Sequence, residues 1–446
     1  MNESVARVRT WSPPDWRLVT VLAVAAWLSI RLFIYVNRYA TELLFWDQWD
    51  VFESFFHGDP GIGELFFFQF GPHREGVGLL LDKFLFPLTH WSSRFESLEL
   101  AASLVLTMLL ALLLKRRLFG RITVTDMVIP VLVLPLSQFE NLVGPLNPAH
   151  SVFPLLLVLI YCHVLLIRSP LPRYMVLLVV NFAMIYTGFA IFMGIVTIGV
   201  FLLACYRRLR GLEDMPLALP FVGLVIAGLS LGSYFINYTL LPFVGCYRFP
   251  WPQPLDYPRF MTGMFHAATR VSQSLRNAAG VTLFGATCVV GAMGAWRARH
   301  AQATDRVPLV IGVLALYSLL FSANAAVGRV CLGIGASQAS RYSTLMIPAF
   351  LAIYLAVCTL SSTTLRSLLA VVLIAMFEPA HHLDPGMRAI GEAKRNWGEC
   401  YIQYEDIDRC DASTNFRIHP EPERTRLKWK LDYLKEHHLN LYRERG

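Results

Sequence analysis

The sequence predicts an all-α polytopic membrane protein. Of its 446 residues, 55% are hydrophobic and only 16% are charged, whereas about a quarter are charged in an ordinary soluble domain. Mean hydropathy is +0.49. The apolar residues gather in runs close to the ~20 residues that cross a hydrocarbon core, and Lys and Arg collect in alternate short loops.

The runs fall at about 18–36, 97–114, 124–138, 150–167, 174–187, 189–205, 217–241, 278–296, 307–326, 343–360 and 367–380. They predict about eleven transmembrane helices, of which the fifth, sixth and last are short. No small-residue cleavage site follows the first run, so it is expected to stay as an anchor. Arg7, Arg9 and Arg17 precede the first run; Lys115, Arg116 and Arg117 follow the second; Arg168 and Arg173 follow the fourth; Arg207, Arg208 and Arg210 follow the sixth; Arg297 and Arg299 follow the eighth; Arg366 follows the tenth. Positive charge marks cytoplasmic loops, so the N-terminus and these loops are expected to be cytoplasmic. The net charge of +8 reflects this asymmetry, not a nucleic-acid surface.

The remaining loops, 37–96, 139–149, 242–277, 327–342 and the tail from about 381, carry the aromatics, acids and histidines. The organisation expected is a transmembrane domain over 1–380 and a small extracytoplasmic cap over 381–446. Leu427, Leu431 and Leu434 recur at helical spacing within a helix expected over 423–439. In the first outer loop, amphipathic runs at Trp49–Phe56, Ile62–Phe70 and Gly76–Leu88 read as interfacial helices. Cys162, Cys205, Cys288 and Cys358 lie in the runs as small apolar residues. Cys400 and Cys410 lie in the tail, where a disulfide is permitted; Cys246 and Cys331 could also pair, but nothing in the sequence selects that pairing. There is no Gly-rich phosphate loop, nucleotide-binding domain or internal repeat, which argues against an ATP-driven transporter.

Several polar constellations lie in the outer loops. Phe45-Trp46-Asp47-Gln48-Trp49-Asp50 follows the first span, and a helix would place Asp47 and Asp50 on one face. A shielded carboxylate can take a proton from a hydroxyl, and an acid at the membrane edge is a functional candidate; alternatively it ends a helix or pairs with Arg38 or Arg74. Two acids alone specify no metal: a divalent ion could bridge them, but none is required. His73-Arg74-Glu75 offers a guanidinium fork for phosphate and a titratable imidazole, or a solvated turn. Gly328-Arg329 and Ser340-Arg341-Tyr342 could hold a lipid phosphate at a helix N-terminus, or anchor the interface. Glu140-Asn141 and Asn147-Pro148-Ala149-His150 could bind sugar hydroxyls or form turns. His266 and Arg270 could form one wall of a site.

Together these motifs, in this order, resemble the bacterial multi-spanning glycosyltransferases of the GT-C superfamily, over nearly the whole chain. The resemblance implies a polyprenyl-phosphate sugar donor and a glycan or glycolipid acceptor on the outer face of a bacterial inner membrane, with no nucleic-acid partner and no required cofactor. It implies Asp47, with Asp50 second, as catalytic acids; Arg341, Arg74, Arg329 and His73 at the donor phosphate; and Glu75, Glu140, Asn141, His266, Arg270 and Tyr342 at the substrates. Relatives read Asn-Glu-His-Arg where this chain has Gly71-Pro72-His73-Arg74, and Glu75 could replace the missing acid. The alternatives are a transporter or flippase of a lipid-linked sugar, an O-antigen-type polymerase or ligase, and a non-catalytic scaffold.

Overall fold

The computed structural model describes residues 15–144, 147–150, 152–240, 245–272, 274–302 and 304–445; Arg7 and Arg9 lie outside them. It is mostly helical. Helix α1 (Trp16–Tyr39) starts at Asp15, whose side chain accepts from the Arg17 amide at 3.1 Å. It buries Val21, Ala25, Leu28, Leu32 and Val36 at helical spacing, while Trp27, Ile30 and Ile34 face outward. An apolar outer face on a helix that is also apolar inside suits lipid, not water.

The first loop then turns into α2 (Gly76–Thr89), and α3 (Ser93–Phe119) returns through the bundle from an Ser92 cap to Gly120 in the left-handed region. The bundle continues with α4 (Val152–Leu165), α5 (Pro170–Ile185), α6 (Phe192–Leu209), α7 (Ala218–Ser233), α8 (Asp256–Ala267), α9 (Arg276–His300), α10 (Val307–Arg329), α11 (Ser343–Cys358) and α12 (Thr363–Phe377). The tail supplies α13 (Pro385–Tyr404), α14 (Ile407–Thr414) and α15 (Leu427–Glu436). Among the described residues, seven helices are long and apolar enough to cross a bilayer, and four shorter apolar helices (Val124–Gln138, Val152–Leu165, Pro170–Ile185, Ala218–Ser233) coincide with the remaining predicted runs.

Proline breaks one of these. The run at 124–138 is α-helical only over Val128–Val133, between 3-10 turns at Val124–Met127 and Leu136–Gln138, because Pro135 ends the α-helix. The freed carbonyls of Val133 and Pro135 accept from the Gln138 amide at 3.1 and 3.0 Å, as buried backbone requires. The chain emerges at Glu140 and Asn141, beside the start of α11.

Among the described residues two large hydrophobic cores result, with a small third cluster around Ile185, Tyr186 and Tyr234. One fills the helix bundle. The second joins Trp49, Phe52, Phe55, Phe56, Phe86 and Trp91 of the first loop to Trp397, Tyr401, Leu427, Leu431 and Leu434 of the tail. Of the three helical runs expected in the loop, Gly76–Leu88 forms α2, but the first two differ: Gln48–Val51, Glu53–Phe56 and Ile62–Phe66 are single turns, and Gln69–Phe70 pairs with His73–Arg74 as a two-stranded ribbon across Gly71-Pro72. Their apolar faces cover the tail. The tail helix is also shorter than the expected 423–439, running Leu427–Glu436 from Arg426 in the left-handed region. Cys400 and Cys410 are bridged, as are Cys246 and Cys331.

Polar contacts bind the tail to the loop. Thr425 donates to the Asp50 carboxylate at 2.6 Å, and His419 stands 3.4 Å from it. Fully buried Lys430 donates to the Trp49 carbonyl and to Thr425, and pairs with Glu53 at 2.5 Å. The bonds from His419 and Thr425 outweigh burial and hold the Asp50 carboxyl below its ordinary value. Asp50 thus stabilises the fold above the unfolded value of about 4, and the contribution disappears as pH falls through the lower folded value. Asp50→Asn should cost about 1–2 kcal/mol at neutral pH. It should also flatten the acid limb of stability, read by thermal unfolding of detergent-solubilised protein between pH 3 and 7; an unchanged acid limb would exclude Asp50 as its source.

Candidate functional site

Asp47 occupies the first position of the Gln48–Val51 turn, where an aspartate usually caps. Its side chain makes no capping bond, and among the described residues it makes no hydrogen bond or ion pair. Its position is nonetheless fixed. Gln48 accepts from the Phe45 amide at 2.9 Å and donates to buried Glu96 at 2.9 Å. On the other side the Trp46 amide donates to the Ile418 carbonyl of the tail at 2.7 Å. Trp46 itself has φ +50 and is 48% exposed. A bulky residue in the left-handed region is uncommon and persists only where its surroundings over-determine it.

Burial pushes the Asp47 carboxyl above its ordinary value, opposed by the charges of His150 and then Arg341. His150 is held by Glu75, whose buried carboxylate lies 3.0 Å from Nδ1; Nδ1–H donates, and Nε2 makes no hydrogen bond among the described residues. The segment carrying His150 is wedged by two glycines. A Cβ on Gly78 would come within 2.7 Å of the Ala149 Cβ, and one on Gly188 (φ +46) within 2.4 Å of the Ala149 carbonyl. Asn147 closes the turn by accepting from the His150 amide at 3.1 Å.

The arginines are placed from the other side. Glu140 accepts from the Arg341 amide at 3.1 Å, and Asn141 donates to the Arg341 carbonyl at 2.9 Å and to Thr344 at 2.8 Å. The Arg341 and Arg329 guanidiniums lie 5.8 and 5.7 Å from the buried Tyr342 ring, within the range of cation–π attraction. Arg329 is also hydrogen-bonded to Tyr342 and feels the Asp47 charge. Arg341 is exposed.

The structure thus gathers Asp47, Glu75, His150, Arg329, Arg341 and Tyr342 at one end of the bundle. It assigns several other sequence candidates to different work. Asp50 is held by the tail through Thr425 and His419, close enough to Asp47 for its charge to act on it. Arg74 is buried and points at backbone: it donates to the Tyr234 carbonyl at 3.2 and 3.1 Å, to Ile236 at 2.6 Å and to Phe67. These bonds occupy the fork that a phosphate would need. Buried His73 packs edge-on against Phe189 at 4.2 Å and near His150 at 5.6 Å; burial, and then the His150 and Arg329 charges, hold it well below its ordinary value, so it stays neutral. Glu140 and Asn141 position Arg341. Arg270 pairs with Asp384 at 2.9 Å, and buried His266, pushed down to about 4 by burial and the nearby Arg276 and Arg270, stays uncharged beside it. Among the described residues no three His, Cys, Asp or Glu side chains stand close enough to hold a metal ion together.

The sequence offered His150 only within a segment that could bind sugar hydroxyls or form a turn, with no role of its own. Its signal was the Asn-x-x-His spacing that lets Asn147 cap the His150 amide. Gln48 and Glu96 carried no local signal.

Comparison with known protein families, with curated proteins and with solved structures finds no match.

Replacing Gly188 by Val should displace the Ala149–His150 segment, costing about 1–3 kcal/mol in a thermal melt. Gly228→Ala, where an added Cβ meets nothing within 4 Å, should melt like wild type. Equal melting of Gly188→Val and wild type would show that the segment moves freely.

Proposed function

We propose that this protein is an inverting glycosyltransferase of the GT-C type. It would move a sugar from a polyprenyl-phosphate donor to a cell-envelope glycan or glycolipid, at the outer face of a bacterial inner membrane crossed about eleven times. The observation that carries the reading is Asp47. It is a carboxylate with a raised pKa and, among the described residues, no structural bond, facing two arginines across a site whose backbone is held from both sides.

In the reaction, the acceptor hydroxyl gives its proton to Asp47 as its oxygen attacks the anomeric carbon. The carbon–oxygen bond to the lipid phosphate breaks, and the phosphate leaves on the opposite face with the electron pair, inverting the centre. Arg341 and Arg329 stand where they would stabilise the charge that develops on that phosphate, commonly the largest catalytic contribution. His150, oriented by Glu75, lies close enough to Asp47 to influence its charge and could carry the proton onward. Exposed Trp46 offers an apolar face to a sugar ring. The two disulfides, one joining the tail helices α13 and α14, lie on the Asp47 side, which suits an oxidising compartment, and the arginine-rich loops would then face the cytoplasm.

The test is sugar transfer from a polyprenyl-phosphate sugar to envelope glycan by purified protein. Asp47→Asn should lose about 10²–10⁴-fold in rate while still binding donor, and Arg341→Ala about 10²–10³-fold. Because the base must be ionised, activity should rise with pH through Asp47's raised value, giving an acidic limb above the ordinary aspartate range of about 4. Full activity in Asp47→Asn would remove it as the base. Tight donor binding without transfer by wild type would favour the transporter reading.

In the same assay Glu75→Gln should lower kcat about tenfold or more and shift the pH profile, leaving donor KM nearly unchanged. A change in KM alone would place the Glu75–His150 pair at the donor instead of the proton path.

A further inference from the structure

At the end of the bundle opposite Asp47, a single carboxylate faces three guanidiniums. Glu213 lies 2.9 Å from Arg207 Nε, 3.1 Å from Arg306 Nη1 and 3.7 Å from Arg173 Nη2. The side chains of Arg173, Arg207 and Glu213 are 5%, 4% and 5% exposed. Arg207 also donates to the Ala298 carbonyl, yet its Nη2 is buried with no partner. An unpartnered guanidinium nitrogen in a buried cluster is costly. Burial first, and then the like charges of Arg173 and Arg207, hold Arg306 below its ordinary value, with Glu213 opposing them.

This cluster borders open space. A cavity of about 640 Å³ is lined by four arginines, Arg117, Arg168, Arg173 and Arg306, and three acids, buried Glu213 and exposed Asp214 and Asp305. A crevice of about 20 Å³, large enough for a water, runs beneath it past Arg207. The walls of that crevice, Val200, Leu203, Ala298 and Leu309, are shared with an apolar groove of about 650 Å³ between α6, α9 and α10. A cationic chamber thus adjoins an apolar channel across one layer of side chains.

We propose that this is a binding site for an anionic phospholipid of the leaflet at the arginine-rich end. The phosphate sits in the chamber against Arg306, Arg168 and Arg173, and an acyl chain lies in the groove. Guanidinium forks match phosphate oxygens in pairs, and basic pockets between membrane helices on the cytoplasmic side hold anionic headgroups. The groove is what favours a lipid over a free phosphate, since a soluble anion would have no use for it. The proposal does not depend on the activity at Asp47.

The test uses the full chain in nanodiscs of phosphatidylcholine alone or with phosphatidylglycerol, read by native mass spectrometry of retained lipid and by thermal unfolding. Wild type should retain phosphatidylglycerol over phosphatidylcholine by about tenfold or more. Arg306→Gln should lose most of that preference, and so should Arg168→Gln, at the exposed rim, which keeps the test intact if the loss of Arg306 unfolds the Glu213 cluster. Gly199→Leu, filling the groove at a position open to it, should reduce retention with the arginines untouched. Equal retention of both lipids by wild type would overturn the proposal. Stabilisation by inorganic phosphate in phosphatidylcholine discs, without phosphatidylglycerol preference, would overturn the lipid assignment and leave a soluble phosphate as the ligand.

Discussion

The ammonium group of Lys430 is the contact on which the Asp47 end of this protein rests. It is fully buried, so it must find partners, and it finds them in the Trp49 carbonyl, Thr425 and Glu53. Removing one partner from a buried charge costs several kcal/mol. The tail therefore cannot lift from the first loop without large loss. Asp47 sits two residues from that carbonyl, and its own turn is further tied to the tail through Trp46 and Ile418. A loop of single helical turns, which would be mobile alone, becomes a rigid mount for a side chain that has no structural bond of its own. Rigid support of an otherwise unengaged group is what pre-organised chemistry requires.

The other half of the site is positioned by close approach. Gly78 and Gly188 admit the Ala149 backbone where any side chain would collide, and Pro135 stops a helix so that Glu140 and Asn141 can reach Arg341. A proline stop thus places the brace for Arg341, and a glycine gap with an Asx turn places His150.

How much of this was legible in the sequence follows from the range of the interactions. The membrane runs were legible because apolar composition is a local property, and each predicted run has its helix even where proline shortened it. The Cys400–Cys410 bridge spans 10 residues and lay within one short tail. Asp47 stood out because an acid beside tryptophans at a membrane edge has few structural uses. Arg74, by contrast, donates to carbonyls 160 and 162 residues away, and Asp50 is bonded from 375 residues away. No local pattern distinguishes an arginine that will hold phosphate from one that will hold backbone. The same applies to Glu140, which reads as a ligand and acts as a brace.

The contact between Lys430 and Trp49, 381 residues apart, also limits how the chain can thread a bilayer. Both residues must lie on the same side, so the number of crossings between them is even. A crossing by the first long helix, ahead of the loop, would make the total odd and put Asp15 on the side opposite the tail. The other six long helices give an even number, and adding the four shorter ones keeps it even. A threading in which only one or three of the short helices crossed would tear the tail from the loop, so the shorter helices must cross or stay out in even numbers.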